Sequence, residues 1–315
     1  MSDPAFTVLI KAYNEEEFIG AAIRSALAQT RGDFELVVVD DGSTDGTAEV
    51  VEGFRSRDPR VRLVSQPNRG VAAAWNAGVE AARAPYVALL DADDLWMPTF
   101  LERTGAALDA DPNAGFAYTD AWRLQQDNGR FLRAGYVETR GLRGDPPADP
   151  HELLRRLLRA NFILSLATVR RSAIEAVGGF NPARTAAGDY ELWIRILARG
   201  LRAAWVPGRL AVRRDRSGSV SKSQRRNMTN ILDICRIVVE ELDVPEDVKE
   251  AARRRAADLE RYLAALDGRR RGKSARLALR RGIGRVGKRV MPRRVWYPRT
   301  PPEVSAAFPE LARDA

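Results

Sequence analysis

Asp91, Asp93 and Asp94 lie within four residues, directly after the apolar run Tyr86-Val87-Ala88-Leu89-Leu90. That run is short, continuous and preceded by Pro85, the pattern of a buried strand. Ligands in open α/β sheets bind beyond the carboxyl ends of strands. Three acids gathered there repel one another unless something positive sits between them. A hard divalent cation, held by one or two carboxylates and completed by substrate phosphates, is one answer. A solvated acidic turn is the other, and the rest of the sequence has to arbitrate.

Composition narrows the chemistry. The chain has 315 residues, 45% of them hydrophobic, enough for one large or two modest domains. Cys235 is the single cysteine, so neither an intrachain disulfide nor a thiolate metal cluster can form. His151 is the single histidine, and its Asp149-Pro150-His151-Glu152 context reads as a surface position in a first helical turn. Acid–base work therefore falls to carboxylates. Met1 to Phe6 lacks the basic-then-apolar layout of a secretion signal, and no apolar run approaches the roughly 18 residues that span a bilayer. A soluble or peripheral protein in a reducing compartment is the expectation.

The net charge of +9 is unevenly placed. Thirteen Lys or Arg and no Asp or Glu lie between Arg269 and Arg299, so the rest of the chain carries −4.

Strand and helix patterns alternate through the first hundred residues. Residues 6–10 read as a strand, 15–30 as a helix, 34–39 as a strand ended by Asp40-Asp41-Gly42-Ser43, and 61–64 as a strand. Thr44-Asp45 can cap a helix to about Arg57, and 70–82 is a third helix. This rhythm predicts a doubly wound, mostly parallel sheet. Beyond Pro98 the pattern gives a helix to Leu108, a strand at 116–118, a Gly/Pro-rich loop at 141–150, a helix at 152–160 and a strand at 162–169. A helix with an acidic first turn follows from Gly188, then strands at 203–206 and 210–212, and helices at 227–241 and 245–266.

Four elements now line up: Ala12-Tyr13-Asn14-Glu15-Glu16, Asp40-Asp41-Gly42-Ser43, Asp91-Ala92-Asp93-Asp94 and Gly188-Asp189-Tyr190-Glu191-Leu192-Trp193. Asn68-Arg69-Gly70 followed by Trp75-Asn76-Ala77-Gly78 adds a fifth. In this order they resemble the family 2 glycosyltransferases, over about residues 5 to 221. The resemblance implies a GT-A fold and inverting transfer of one sugar from a nucleotide-diphospho sugar to a hydroxyl acceptor in glycan synthesis. It implies a divalent metal, Mn²⁺ or Mg²⁺, at Asp93, with Asp91 and Ala92 beside it. Asp41 would accept a hydrogen bond from the nucleobase with Asp40 in support, Ala12 and Tyr13 would flank the base, and Glu15, Asn68, Gly70 and Asn76 would complete the donor site. Asp189 would be the catalytic base, a role worth roughly 10²–10⁴ in rate. Trp75, Trp96, Trp193, Ile194 and Leu197 read as packing.

The departures from the family pattern are local. Lys11 stands where relatives usually have proline, and a solvated lysine is the simplest reading of it. Relatives often place a histidine before a Ser-x-Ser ending; here the region is Arg213-Arg214-Asp215-Arg216-Ser217-Gly218-Ser219, so either Asp215 as a ligand or the arginines on phosphate would replace it. A Gln-x-x-Arg-Trp motif and membrane-spanning helices, marks of processive members, are missing. A sugar-nucleotide-binding scaffold without turnover and a nucleotidyltransferase are the competing readings; the latter would want a basic glycine-rich loop after the first strand, where Tyr13-Asn14-Glu15-Glu16 is acidic.

These readings divide the chain into a donor half (1–110), an acceptor and catalytic half (111–221), a helical extension (222–268) and a basic amphipathic tail (269–315). In the tail Leu279, Ile283, Val286 and Val290 share a helical face ringed by arginines and lysines, a pattern suited to an anionic membrane surface and a lipid-linked acceptor on the inner, cytoplasmic face; a tail folded against the catalytic domain or simply solvated is the alternative. Aromatics are not interleaved with that charge until Trp296-Tyr297, so nucleic acid is not the expected partner.

Overall fold

The computed structural model describes residues 3–140, 145–183, 187–216, 224–270, 296–297 and 299–312. The first strand, β1 (Phe6–Ala12), is almost wholly buried, as a strand must be when helices cover both faces of its sheet. It is followed by α1 (Glu16–Leu27), β2 (Phe34–Asp40), α2 (Thr47–Arg55), β3 (Val61–Ser65), α3 (Val71–Ala81) and β4 (Tyr86–Asp91). All four strands pair in parallel, with β1 between β2 and β4. The register sets Lys11 opposite Asp91 on one side and Ala12 opposite Asp40 on the other. The motif residues thus reach one rim because their strands end together.

Period-two alternation divides β1 between two cores. Leu9 joins Val37, Trp75, Phe116, Trp193 and Ile234 on one face. Val8 and Ile10 join Ile19, Ile23, Leu36, Trp96 and Phe100 on the other.

Past β4 come β5 (Leu95–Trp96), α4 (Phe100–Ala110), β6 (Ala114–Gln125), β7 (Arg130–Leu132), α5 (Tyr136–Thr139), α6 (Pro150–Arg159), β8 (Ala167–Arg170), α7 (Arg171–Ala176), α8 (Gly188–Ala198) and β9 (Arg202–Asp215). The nine-stranded sheet runs β3-β2-β1-β4-β8-β6-β9-β5, with β7 on β6. Its second half is mixed, because β8 lies antiparallel to both β4 and β6 while β9 runs parallel to β6. The strand expected over 162–169 shortens to β8, and Ser165 ahead of it donates to Asp91 instead of pairing in the sheet. The two last strands expected from alternation are one strand, β9. It bends at Pro207-Gly208, where Gly208 takes φ +105, a conformation open to glycine. Thr44 does not cap α2; Asp45 does the nearest equivalent work by accepting the Thr47 N–H at 3.1 Å.

Asp149 caps α6 by accepting the Glu152 N–H at 2.6 Å, and Leu153, Leu154, Leu157 and Leu158 fill its buried face. His151 is in the first turn as expected but only half-exposed, with Nε2 enclosed. The helical extension forms as α9 (Gln224–Glu240) and α10 (Glu246–Arg270). They bury Ile234, Cys235, Val238, Val248 and Ala252 against the first core. None of the described helices is long and apolar enough to cross a membrane.

The expected amphipathic face at 279–290 lies outside the described residues. The end of the chain, grouped with that tail in the sequence reading, packs on the sheet instead. Trp296 bridges to Leu132, and the Tyr297 N–H donates to Phe131 O at 2.9 Å. Helix α11 (Pro302–Ala307) sets Val304 and Phe308 among Leu95, Met97, Trp122, Phe131 and Val212. Phe308→Ala should therefore cost about 3 kcal/mol of stability, read as a lowered urea midpoint with unchanged m; an unchanged midpoint would mean that this docking contributes nothing to the fold.

Candidate active site at the carboxyl end of the sheet

The first two loops at this rim are tied by short hydrogen bonds. Asn14, held at φ 55, donates its N–H to Ser43 Oγ at 2.9 Å and accepts the Thr44 N–H at 2.8 Å. The Glu15 N–H donates to Thr47 Oγ1 at 2.8 Å. Asp40 is buried and accepts the Ser43 N–H. Asp41 accepts from Gln66 Nε2 at 2.6 Å and from the Arg69 and Gly70 N–H groups at 2.9 Å. Its first task is therefore to hold the 66–70 loop against the end of β2. Gly42 has φ +75, and a Cβ there would stand 2.7 Å from the Asn68 nitrogen, so only glycine allows this approach. Among the described residues, Tyr13 is the one large hydrophobic side chain left exposed, at 47%. Ala12 and Ala92 are buried beneath the rim, and Asn68 is exposed on it.

The acidic turn after β4 has its positive partners built in. Lys11 Nζ lies 2.7 Å from Asp91 Oδ1, and the Ser165 hydroxyl donates to the other oxygen. Lys11 is thus a paired lysine beside the Trp75 ring, at 5.2 Å, and not the solvated one expected. Burial pushes Asp91 up, but Lys11 and Ser165 outweigh it and hold the carboxyl below its ordinary range. Burial likewise opposes the charge on Lys11, and Asp91 overcomes it. Arg216 donates to Asp93 Oδ2 at 2.8 Å and to Glu15 Oε1 at 2.7 Å. Asp94 accepts the Arg214 N–H at 2.8 Å, fastening β9 to the turn. Burial, then the charges of Asp93 and Asp91, push its carboxyl well above the usual range.

Asp189 lies in the first turn of α8, after Ala187 in the left-handed region. Burial first, and the charge of Asp91 second, push its pKa up to about 6. The charges of Asp91 and Lys11 both bear on it, the first raising and the second lowering its pKa. Asn76 has another use than ligand contact. Its amide donates to Phe180 O and accepts the Phe180 N–H, each at 2.8 Å, fixing the loop that leads toward Asp189. Trp75 stacks on Phe180 at 5.7 Å and Trp96 on Phe100 at 4.2 Å, while Trp193, Ile194 and Leu197 are fully buried. All are packing residues. Glu191 is held by Asn181 and Arg195, away from Asp189's face.

No group of three His, Cys, Asp or Glu is arranged as a metal cage among the described residues. A cation completed by substrate phosphates needs only one or two carboxylates. Glu15 Oε2 is buried with no hydrogen-bond partner, and Asp93 meets Arg216 through Oδ2 alone among the described residues. This donor set fits such a cation. Asp215 does not, because Arg123 and Arg213 hold both of its oxygens. Lys11, Ser165 and Arg216 are the contributors that the sequence motifs missed. Arg216 stood in a flagged basic run, whereas nothing in the sequence around Ser165 signals its partner.

Known proteins bear the arrangement out at the level of family and fold. The chain is 32% identical to a chondroitin synthase of Pasteurella multocida over 193 residues, 61% of this chain and 19% of that protein. It therefore spans about a fifth of that relative's length. A glycosyltransferase of Nostoc sp. is 44% identical over 98 residues, 31% of this chain and 30% of that relative. Among solved structures, Staphylococcus aureus TarS 1–349 in complex with UDP-GlcNAc superposes with a TM-score of 0.64 at 18% identity, covering 89% of this chain and 80% of that one. The mannosyltransferase PcManGT of Pyrobaculum calidifontis, in complex with GDP-Man and Mn²⁺, gives 0.62 at 22% identity, covering 90% and 81%. At these identities the structures share the fold. The sequence profile of glycosyl transferase family 2 matches residues 7–178, more than half of the chain and the stretch that carries Asp41, Asp91 and Asp93, and the chain belongs to that family.

Proposed function

We propose that this protein transfers a single sugar from a nucleotide-diphospho sugar to a hydroxyl acceptor in glycan synthesis, with inversion at the anomeric carbon. The observation that carries the reading is a carboxylate pushed up to about 6, Asp189, within the field of Asp91 at the carboxyl end of β4. Family membership and the UDP-GlcNAc and GDP-Man complexes of its structural neighbours support a sugar nucleotide as the donor. Exposed Tyr13 offers a platform for the nucleobase, and Asp41 Oδ2, which accepts the Gly70 N–H, would also accept a hydrogen bond from it.

The reaction needs a base at the acceptor and positive charge at the leaving diphosphate. A divalent cation at Asp93 would supply part of that charge when bound. Arg216, spanning Glu15 and Asp93, is the guanidinium on hand to share it. Asp189 takes the proton of the acceptor hydroxyl as oxygen attacks the anomeric carbon, and the diphosphate leaves from the opposite face. A carboxylate of ordinary pKa is a weaker base than one pushed up to about 6, and the shift costs only about a tenth of the basic form at neutral pH. The basic 269–299 segment would draw the enzyme to an anionic membrane carrying its acceptor.

Incubation with a panel of nucleotide-diphospho sugars and Mn²⁺ should release nucleoside diphosphate and yield a product of inverted anomeric configuration. Pyrophosphate release would identify a nucleotidyltransferase, and binding without turnover a scaffold. Asp189→Asn should lower turnover by about 10²–10⁴ with donor affinity kept; retention of most turnover would leave Asp189 a helix-terminal acid only. Because the base works deprotonated, kcat/KM should rise with pH up to about 6 and level above it, and a profile flat from pH 4 to 8 would exclude Asp189. Asp93→Ala should reduce nucleoside-diphosphate affinity in Mn²⁺ to the metal-free value by calorimetry; equal metal-dependent affinity in both proteins would remove Asp93 from the cation site.

A further inference from the structure

Beside the acidic turn, three arginines crowd one aromatic ring. Tyr136 is buried at the start of α5, and the guanidinium carbons of Arg140, Arg213 and Arg123 lie 4.7, 5.3 and 6.0 Å from its ring centroid. Asp215 is the carboxylate they share: it pairs with Arg123 at 2.6 Å and with Arg213. Arg140 bonds only the Asn161 carbonyl, at 3.1 Å, among the described residues. The next acids along, Glu138 and Asp120, face Arg209 at 3.6 and 3.9 Å. Arg123 Nε is buried with no hydrogen-bond partner among the described residues, a donor withheld from water at a cost.

Of the undescribed stretches, 313–315 alone carries an acid, Asp314. Residues 141–144, 184–186, 217–223 and 271–295 contain no Asp or Glu. The shared ring face offsets part of their repulsion, and guanidinium forks match phosphate or carboxylate. The cluster also has a direction. Arg213 lies within the fields of Asp94 and Asp93, so an anion held by the three arginines would sit next to the reaction centre. Its residues come from β6, α5 and β9, whereas the donor motifs lie on β1 to β4.

We propose that the arginine cluster around Tyr136 is an anion subsite that receives a phosphate or carboxylate group of the acceptor. The assignment to an acceptor rests on the glycosyl-transfer reading above. It means that the enzyme extends an anionic chain and holds the charged group next to the hydroxyl that attacks.

The test is calorimetry on the full chain with Mn²⁺ and the best-binding nucleoside diphosphate of UDP and GDP at saturation. Three probes are titrated: a glycerol-phosphate trimer, a tetragalacturonate and neutral maltotetraose. An anionic probe should bind and maltotetraose should not; which anion binds more tightly tells phosphate from carboxylate. Arg140→Gln, at an exposed position, and Arg123→Gln should each weaken the anionic probe by about tenfold or more and leave nucleoside-diphosphate affinity within twofold. Arg123→Lys, which keeps charge without the fork, should fall between parent and Gln. Parallel loss of nucleoside-diphosphate affinity would assign the cluster to the donor pocket, and undiminished probe binding in both Gln variants would leave it structural; either overturns the proposal. Arginine-dependent probe binding without any nucleotide binding would uphold the anion subsite and sink the glycosyl-transfer reading.

Discussion

The contact between Lys11 and Asp91 organises the rim on which every motif converges. Both residues sit at the ends of central parallel strands, paired by register before any side chain is considered. A carboxylate at that depth carries a desolvation cost that must be met by a partner. Lys11 meets it at 2.7 Å, with Ser165 on the other oxygen. Because Asp91 stays charged, its field reaches Asp94 and Asp189 and raises both carboxyl groups. Lys11 thus keeps one acid ionised, while burial, with the charge of Asp91 added to it, makes the two neighbours more basic.

The loops around this pair are held by carboxylates accepting backbone N–H groups. Asp41 fastens the 66–70 loop and Asp40 its own turn, while Asp94 draws in the end of β9. Such bonds are short and charge-assisted, so they fix backbone that has no ladder to join. Three acids of the sequence motifs are therefore partly structural. On the proposed function, what is left for a ligand is narrower: Tyr13, Asp93, Asp189 and the oxygen of Glu15 that has no partner among the described residues.

The two halves of the sheet differ in charge logic as they differ in direction. The parallel half presents acids, held by Lys11, by Arg216 and by backbone N–H groups. The mixed half presents arginines that outnumber their carboxylates around Tyr136. A site that must bring an anionic donor and an acceptor together benefits from that gradient, because positive charge near the reaction centre lowers the repulsion between them. The end of the chain supports this half, with Val304 and Phe308 packed under β5, β6 and β7.

The sequence alone determined the parallel half, because continuous apolar runs, short links and terminal acids are local patterns that survive without tertiary information. Phe6 to Ile10 and Tyr86 to Leu90 were legible as strands, and Asp41, Asp91, Asp93 and Asp189 as the acids to watch. It did not determine the direction of β8, the union of two short strands into β9, or the docking of α11, since each depends on pairing across many residues. Nor could it pair Lys11 with Asp91, Arg216 with Glu15 and Asp93, or Asn76 with Phe180. A charge in a sequence has no address, and only the fold, by setting strand register and burying the partners together, decides whether it is solvated, spent on the protein or left for a ligand.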